Sequence, residues 1–335
     1  MRLGMIGYGT VGQGVADLLV KHREVYRARC GQTLDLAAVL VRSVGRTREV
    51  EPPEGCVVTD DPERFFGAGS SGGGSGASGR GSGGAGFDVL VEVAGGVETV
   101  RGHVERALGD GRHVVTANKS LVSAHGARLL ALARDRGVEL RFEAAVAGGI
   151  PVVGALMHGL MGNAFERIEG VVNGTCNFLL TTMEKTGRSY EEVLREAQRL
   201  GYAEADPTMD VSGRDSAEKI SILGSLAFGD WMTGDEVETG GIEGVTVGDL
   251  RAAVARGRRL RLVARVARAE DGGVRAEVGP RELREDHPLA RLDGSANAVT
   301  IIGDAVGEVT LSGAGAGRYP TASAVVSDVV AIARG

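Results

Sequence analysis

Arg2–His22, RLGMIGYGTVGQGVADLLVKH, is the stretch whose reading decides the fold. Residues 2–6 are a short apolar run of the kind that forms a buried strand. Gln13 to His22 then puts Val15, Leu18 and Leu19 on one helical face. Between them Gly7, Gly9 and Gly12 are spaced as G-x-G-x-x-G. Strand, glycine turn and helix in that order make a dinucleotide-binding fingerprint. The first glycine allows the tight turn, the second lets backbone approach a pyrophosphate, and the third lets helix and strand pack closely. The helix N-terminus then faces the phosphates. With 54 glycines in the chain a chance glycine turn is the competing reading, and the strand–turn–helix frame favours a bound cofactor.

The residues that follow keep the alternation of a doubly wound sheet. Leu34–Val41 reads as the second strand, and Arg42-Ser43 stands where an NAD site usually offers an acid to the ribose. A guanidinium there suits a 2′-phosphate, which favours NADP over NAD; the alternative is a solvent-facing Arg42. Residues 67–86, GAGSSGGGSGASGRGSGGAG, have almost no side chains to bury and read as a flexible surface insertion. Phe87–Val93 is a third strand, ending near Gly95-Gly96. Thr99–Leu108 is helical, His113–Val115 a strand, and Thr116–Lys119 lies at that strand's C-terminal end, where open parallel sheets bind ligands. Lys119 is therefore either an active-site residue or a surface lysine opening a helix. Leu121–Arg136 reads as a helix and Val138–Glu143 as a strand. The small residues Ala144–Pro151 look like a domain junction. Glu143 and nearby carbonyls could cup a hard cation there, and a plain inter-domain turn is the simpler reading.

Past Pro151 the elements lengthen. Helices are expected at Val152–Met161, from Asn173–Asn177 to Thr186, at Ser189–Arg199 and at Ser216–Phe228. Strands are expected at Phe165–Val172, Leu260–Arg268, Gly273–Val278 and Ala298–Ile302, forming an open sheet. Gly313–Gly317 precedes a helix at Thr321–Ala333 that could return to the cofactor domain. The fold class is α/β, with a Rossmann-like dinucleotide-binding domain over 1–142, joined by 313–335, and an α+β domain over 143–312.

Gly201–Leu223, GYAEADPTMDVSGRDSAEKISIL, packs Glu204, Asp206, Asp210, Asp215, Glu218 and Lys219 onto turns and the start of a helix. On its own this is a solvated acidic loop or a pocket for a small amino-bearing substrate. Of the 38 basic residues only Lys21, Lys119, Lys185 and Lys219 are lysines, so lysine at 119 or 219 points to a need for a titratable ammonium. Asp215 and Lys219 are four apart and share a helix face. Cys176 has no His or Asn partner nearby in sequence and reads as packing rather than a nucleophile.

The composition, 43% hydrophobic and 24% charged, is that of a globular enzyme, and 335 residues suffice for two domains. A net charge of −6 argues against a nucleic-acid or membrane partner. Three scattered cysteines and an N-terminus without a signal-peptide pattern point to a reduced, cytoplasmic protein.

Over nearly its whole length the chain resembles homoserine dehydrogenase. The matching pieces are GYGTVG at 7–12, TANK at 116–119, AGGIP at 147–151, NGTCNFLL at 173–180, GYAEADPTMDVSGRDSAEK at 201–219 and GAGAGRYPTASAVVSD at 313–328. The resemblance implies NAD(P)-dependent interconversion of L-homoserine and L-aspartate 4-semialdehyde, in threonine, methionine and isoleucine biosynthesis. It implies Lys219 as proton donor, Lys119 as a second active-site lysine near cofactor and substrate, Glu204 as holder of the substrate amine, and Asp210 and Asp215 as support. It places cofactor contacts at Gly7, Gly9, Thr10, Val11, Gly12, Arg42, Gly95, Lys119 and Gly315. It also implies a sodium site at Glu143 with the main-chain oxygens of Val146, Gly148 and Ile150. The second domain would be the catalytic and dimerisation domain of a homodimer. Cys176 departs from the small hydroxyl residue common there. The chain stops soon after GAGAG, so the regulatory domain of many relatives, and feedback control through it, are expected to be absent. The alternatives are another two-domain NADP-dependent dehydrogenase of amino-acid metabolism, or a catalytically silent NADP-binding sensor.

Overall fold

The computed structural model describes residues 1–67 and 86–335; the rest of the Gly/Ser-rich run, 68–85, lies outside the described residues. Two units are distinguished. One comprises Met1–Leu121, Ala127–Ala144 and Gly317–Gly335, the other Val122–Gly126 and Ala145–Ala316.

In the first unit β1 (Arg2–Ile6) leads through Gly7–Gly9 into α1 (Thr10–Lys21), three residues earlier than the apolar pattern alone marks. Then come α2 (Arg23–Cys30), β2 (Asp35–Leu40), β3 (Val57–Thr59) and α3 (Pro62–Phe66). After these follow β4 (Val89–Glu92), α4 (Glu98–Gly109), β5 (His113–Thr116), α5 (Lys119–Asp135) and β6 (Leu140–Arg141). The six strands are all parallel, in the order β3-β2-β1-β4-β5-β6. The chain leaves β1 to build one half of the sheet and returns to β4 for the other. The crevice beyond the carboxyl ends of β1 and β4 is thus the topological switch point, where doubly wound sheets bind ligands. Leu3, Met5, Val89, Val91 and Val115 form the buried side of the sheet, with Val15 and Leu19 of α1 and Val325 and Val329 of the C-terminal helix packed on it. Each such side chain contributes about 1.5–3 kcal/mol on burial.

The second unit contains α6 (Val152–Gly154), β7 (Phe165–Val171), α7 (Gly174–Thr186), α8 (Tyr190–Leu200), α9 (Thr208–Val211) and α10 (Arg214–Phe228). These are followed by β8 (Glu238–Thr239), α11 (Val247–Ala255), β9 (Arg258–Arg268), β10 (Val274–Arg284), β11 (Ala296–Gly303) and β12 (Gly307–Ala314). Its sheet is ordered β12-β11-β7-β9-β10-β8 and is antiparallel except for β10–β8. It is open, with β12 and β8 at its edges. Helix α10 lies on the sheet at Gly224, where a Cβ would come within 2.9 Å of Val266. The last helix, α12 (Arg318–Arg334), belongs to the first unit and packs on α1.

Several elements differ from the sequence reading. The helix expected at Val152–Met161 is one short α turn followed by a π turn at Ala155–Gly159. Gly154 and Gly159 each cost about 1 kcal/mol in helix stability relative to alanine, and the segment has no polar face to set its period. The strand expected at Val138–Glu143 shrinks to Leu140–Arg141, because the Glu143 N–H goes to the Asp328 carboxylate, 2.9 Å away, rather than to a neighbouring strand. Helix α2 buries no side chain and so carries no apolar period to read. Among the described residues no helix is long and apolar enough to cross a membrane.

Candidate active site

The second unit gathers the lysine and two of the acids singled out in Gly201–Leu223. Gly213, left-handed at φ 86°, ends α9 and starts α10, so Asp215 falls in the first turn and Lys219 one turn on, on the same face. Lys219 Nζ donates to Asp215 Oδ2 at 2.7 Å and to the Val172 carbonyl at 2.7 Å. The two side chains are only 13% and 11% exposed, so this is not a solvated surface pair. Asn173, the N-cap of α7, lies against them. Its Nδ2 donates to Asp210 Oδ1 at 2.7 Å and to Asp215 Oδ2 at 2.9 Å, while its Oδ1 accepts the Cys176 N–H at 2.8 Å. The Thr175 hydroxyl lies 2.7 Å from the Tyr202 carbonyl and 3.0 Å from Asp210 Oδ2.

Glu204 is exposed on the loop after α8, whose backbone is held by Gln198 Nε2 donating to the carbonyls of Glu204 and Ala205. Asp206 accepts locally from the Thr208 N–H and hydroxyl, and those bonds lower its pKa. Cys176 is fully buried, and burial pushes its thiol well above the usual range, which disfavours the nucleophilic thiolate.

In the first unit the glycine fingerprint has the shape its spacing implies. Gly7 takes φ +94°, and a Cβ there would stand 2.7 Å from the backbone of Ala94. A Cβ on Gly12 would stand 2.5 Å from the Gly7 carbonyl, and one on Gly9 would meet nothing within 4 Å. Gly9 is the N-cap of α1 and offers no side-chain cap, so the first turn, with Thr10 and Val11, presents its backbone N–H groups uncapped by side chains. Arg42 is exposed just past β2. Arg48 is committed to the same loop, donating to the carbonyls of Ser43, Val44 and Arg46 at 2.8–3.1 Å. Gly95 follows β4 at φ 73°, and half-buried Lys119 is the first residue of α5.

Glu143 opens a 3-10 turn, and Asp328, whose carboxyl receives its N–H, has its pKa pushed up to about 7, chiefly by burial. Val146, Gly148 and Ile150 follow in turns where Ala147 (φ 55°) and Gly148 (φ 57°) are both left-handed. Gly148 lies so close to Gly315 that a Cβ would come within 2.4 Å of its carbonyl. Among the described residues no three His, Cys, Asp or Glu side chains cluster as metal ligands. Asn173, Thr175 and Asp328 were not singled out for these roles from the sequence. For Asn173 a signal existed: an Asn ahead of an apolar helix is an N-cap.

A parallel sheet with a glycine cradle at its switch point and a buried lysine–carboxylate cluster define the class: an α/β oxidoreductase that uses a nicotinamide dinucleotide. The family model described as homoserine dehydrogenase matches residues 151–330, and the one described as homoserine dehydrogenase, NAD binding domain, matches 7–143. Homoserine dehydrogenase of Bacillus subtilis is 38% identical over 99% of this chain and 72% of its own. The crystal structure of a homoserine dehydrogenase from Thiobacillus denitrificans matches with a TM-score of 0.90 at 40% identity, over 100% of this chain and 73% of that one. A hyperthermophilic archaeal homoserine dehydrogenase in complex with NADPH matches with a TM-score of 0.79 at 28% identity, over 98% and 96%. The chain belongs to the homoserine dehydrogenase family, and its activity is the NAD(P)-dependent interconversion of L-homoserine and L-aspartate 4-semialdehyde.

Proposed function

We propose that Lys219 is the acid–base residue of this reaction and that Asp215, Asp210 and Lys119 serve it. The observation that carries the reading is the double anchoring of the Lys219 ammonium. Two of its three N–H donors go to Asp215 and Val172, and the third is assigned to a substrate oxygen. A bound nicotinamide cofactor supplies or accepts the hydride. In the reducing direction negative charge builds on the aldehyde oxygen, and an ammonium held by a carboxylate stabilises that charge and then gives up a proton. Lys119, opening α5 at the carboxyl end of β5, is assigned to the cofactor and substrate side. Glu204 is assigned the substrate amine; its exposed carboxylate suits an incoming cation. Glu204→Ala is expected to raise the homoserine KM about tenfold or more with kcat little changed, as for lost uniform binding. An unchanged KM in steady-state assays would remove Glu204 from the pocket.

The cradle of Gly7, Gly9 and Gly12, with Thr10, Val11 and Gly95, has the shape a dinucleotide requires, and Gly315 is assigned to the cofactor with them. NADP is proposed over NAD, supported by Arg42 and by the relative solved with NADPH. Arg42, exposed just past β2, is the cation assigned to a 2′-phosphate. Arg42→Ala is therefore expected to raise the KM for NADP about tenfold and leave that for NAD nearly unchanged. An NADP/NAD ratio equal to that of the native enzyme would refute the assignment.

Glu143 and the main-chain oxygens of Val146, Gly148 and Ile150 are assigned to a sodium ion, for which oxygen donors are the suitable chemistry; equal activity with and without sodium salts would exclude a functional role. The catalytic division is proposed as 1–142 with 313–335 for the cofactor and 143–312 for substrate and dimerisation. The open edge at β12 supports a homodimer, and a one-chain mass in sedimentation would rule it out. A cytoplasmic setting agrees with three free thiols.

A further inference from the structure

Glu92 is the only charged residue in β4 and is completely buried, at 0% exposure. Burial pushes its carboxyl above the usual range, and hydrogen bonds oppose the shift. No role in the reaction uses it, yet its two oxygens serve two different loops. Oε1 accepts the N–H groups of Ala94 at 2.8 Å and Gly95 at 3.2 Å. Oε2 accepts the Thr116 hydroxyl at 2.5 Å. The same hydroxyl oxygen receives the Asn118 N–H at 3.1 Å. Asn118 in turn donates to the Gly96 carbonyl at 2.5 Å and caps α5 by accepting the Leu121 N–H at 3.1 Å.

The circuit therefore closes the carboxyl ends of β4 and β5 onto each other. It fixes three things at once. Ala94 is the residue against which Gly7 turns. Gly95 is held at φ 73° by its N–H. Lys119 starts the helix that Asn118 caps. A buried carboxyl is a costly way to brace two loops that apolar packing could brace more cheaply. Its two oxygens supply what apolar packing cannot, namely fixed directions for backbone N–H groups on one side and for a capped helix start on the other.

We infer that Glu92 is a positioning residue for hydride transfer, setting the Gly95 loop through Oε1 and the Lys119 helix start through Oε2. The inference rests on the proposed roles of Gly95 and Lys119. Because the oxygens divide the work, variants can separate it. Glu92→Gln keeps an acceptor for Ala94 and Gly95 but replaces the oxygen facing Thr116. Thr116→Val removes only the bridge to Asn118. Glu92→Ala removes both.

The test is homoserine oxidation by the full chain well below each variant's Tm, with ordinary homoserine and homoserine deuterated at its carbinol carbon. For Glu92→Ala the expected result is a cofactor KM up about tenfold, kcat down about tenfold, and a larger deuterium isotope effect on kcat, as for reacting groups held slightly out of place. Glu92→Gln and Thr116→Val should keep a cofactor KM within about twofold of native and still lose kcat with the larger isotope effect. Native kinetics in Glu92→Ala with only a lower Tm would make Glu92 a structural strut and overturn the inference. So would a cofactor KM in Glu92→Gln as poor as in Glu92→Ala. Should Glu92→Ala fail to fold, Thr116→Val decides: native kcat and isotope effect overturn it, and loss of kcat with cofactor KM unchanged supports it. Lys119→Ala is assayed alongside. Native turnover there sinks the role of Lys119 itself, whereas an impaired Lys119→Ala beside native Glu92 and Thr116 variants sinks only the role of Glu92.

Discussion

Lys219→Ala is expected to lower kcat by about 10²-fold or more while homoserine and cofactor still bind, a loss within the range of acid–base contributions. The size follows from where the ammonium sits. Its side chain is 13% exposed and its partner Asp215 11%, so water is poorly placed to replace it as proton donor. Removing the lysine also takes from Asp215 the ammonium that lies 2.7 Å from its Oδ2, and breaking a buried pair costs about 3–5 kcal/mol. Low activity could therefore be mistaken for unfolding, and Lys219→Arg separates the two. Arginine returns a positive charge to Asp215 but does not titrate in proteins and does not match the compact geometry of an ammonium. It is expected to recover most of the Tm and little of the kcat. Turnover near native in either variant, measured at 340 nm with saturating homoserine, would remove Lys219 from the chemistry.

What the sequence made legible divides along a physical line. The β1–α1 fingerprint is local: every residue that shapes it lies within a dozen positions, and Gly7 and Gly12 have the close contacts that their spacing implies. The Asp215–Lys219 pair was readable for the same reason, four residues on one helix. What could not be read was whether that pair faces solvent. That depends on Asn173, which is 37 residues from Asp210 and 42 from Asp215 and reaches them only through the fold. Glu92 is a similar case: in sequence it is one acid ending an apolar strand, and its use is set by Thr116 on the neighbouring strand. Strand β12 escaped notice because its end runs into Gly313–Gly317, which read as a turn. Helix α11 shows little apolar period because only Leu250 and Ala253 of it are buried, though its capping box of Thr246 and Asp249 was a usable start signal.

Asn173→Asp is expected to cost about 10²-fold in kcat/KM for homoserine near pH 8, with a loss that depends on pH, because it changes one atom in the middle of two carboxylates. The orientation of the native amide is fixed by its neighbours: Oδ1 faces the Cys176 N–H, and Nδ2 faces Asp210 and Asp215, so a flipped amide would set oxygen against both acids. Substituting a carboxylate does the same thing with a full charge. Two like charges about 3 Å apart at an effective dielectric of about 20 repel by roughly 5 kcal/mol, too much to hold beside the carboxylates of both Asp210 and Asp215. The site responds by taking up a proton, so the introduced carboxyl titrates well above the ordinary carboxylate range. Below that pKa it is protonated, donates one hydrogen bond and partly imitates the native amide. Above it the charge repels Asp210 and Asp215 and pulls at Lys219. The native-to-variant ratio of kcat/KM should therefore rise with pH across about 6 to 9. Asn173→Ala removes both donors without adding charge, so its ratio should stay flat over the same range. A flat ratio for Asn173→Asp as well would mean that Asn173 only fills space, and that the Asp215–Lys219 pair is set without it.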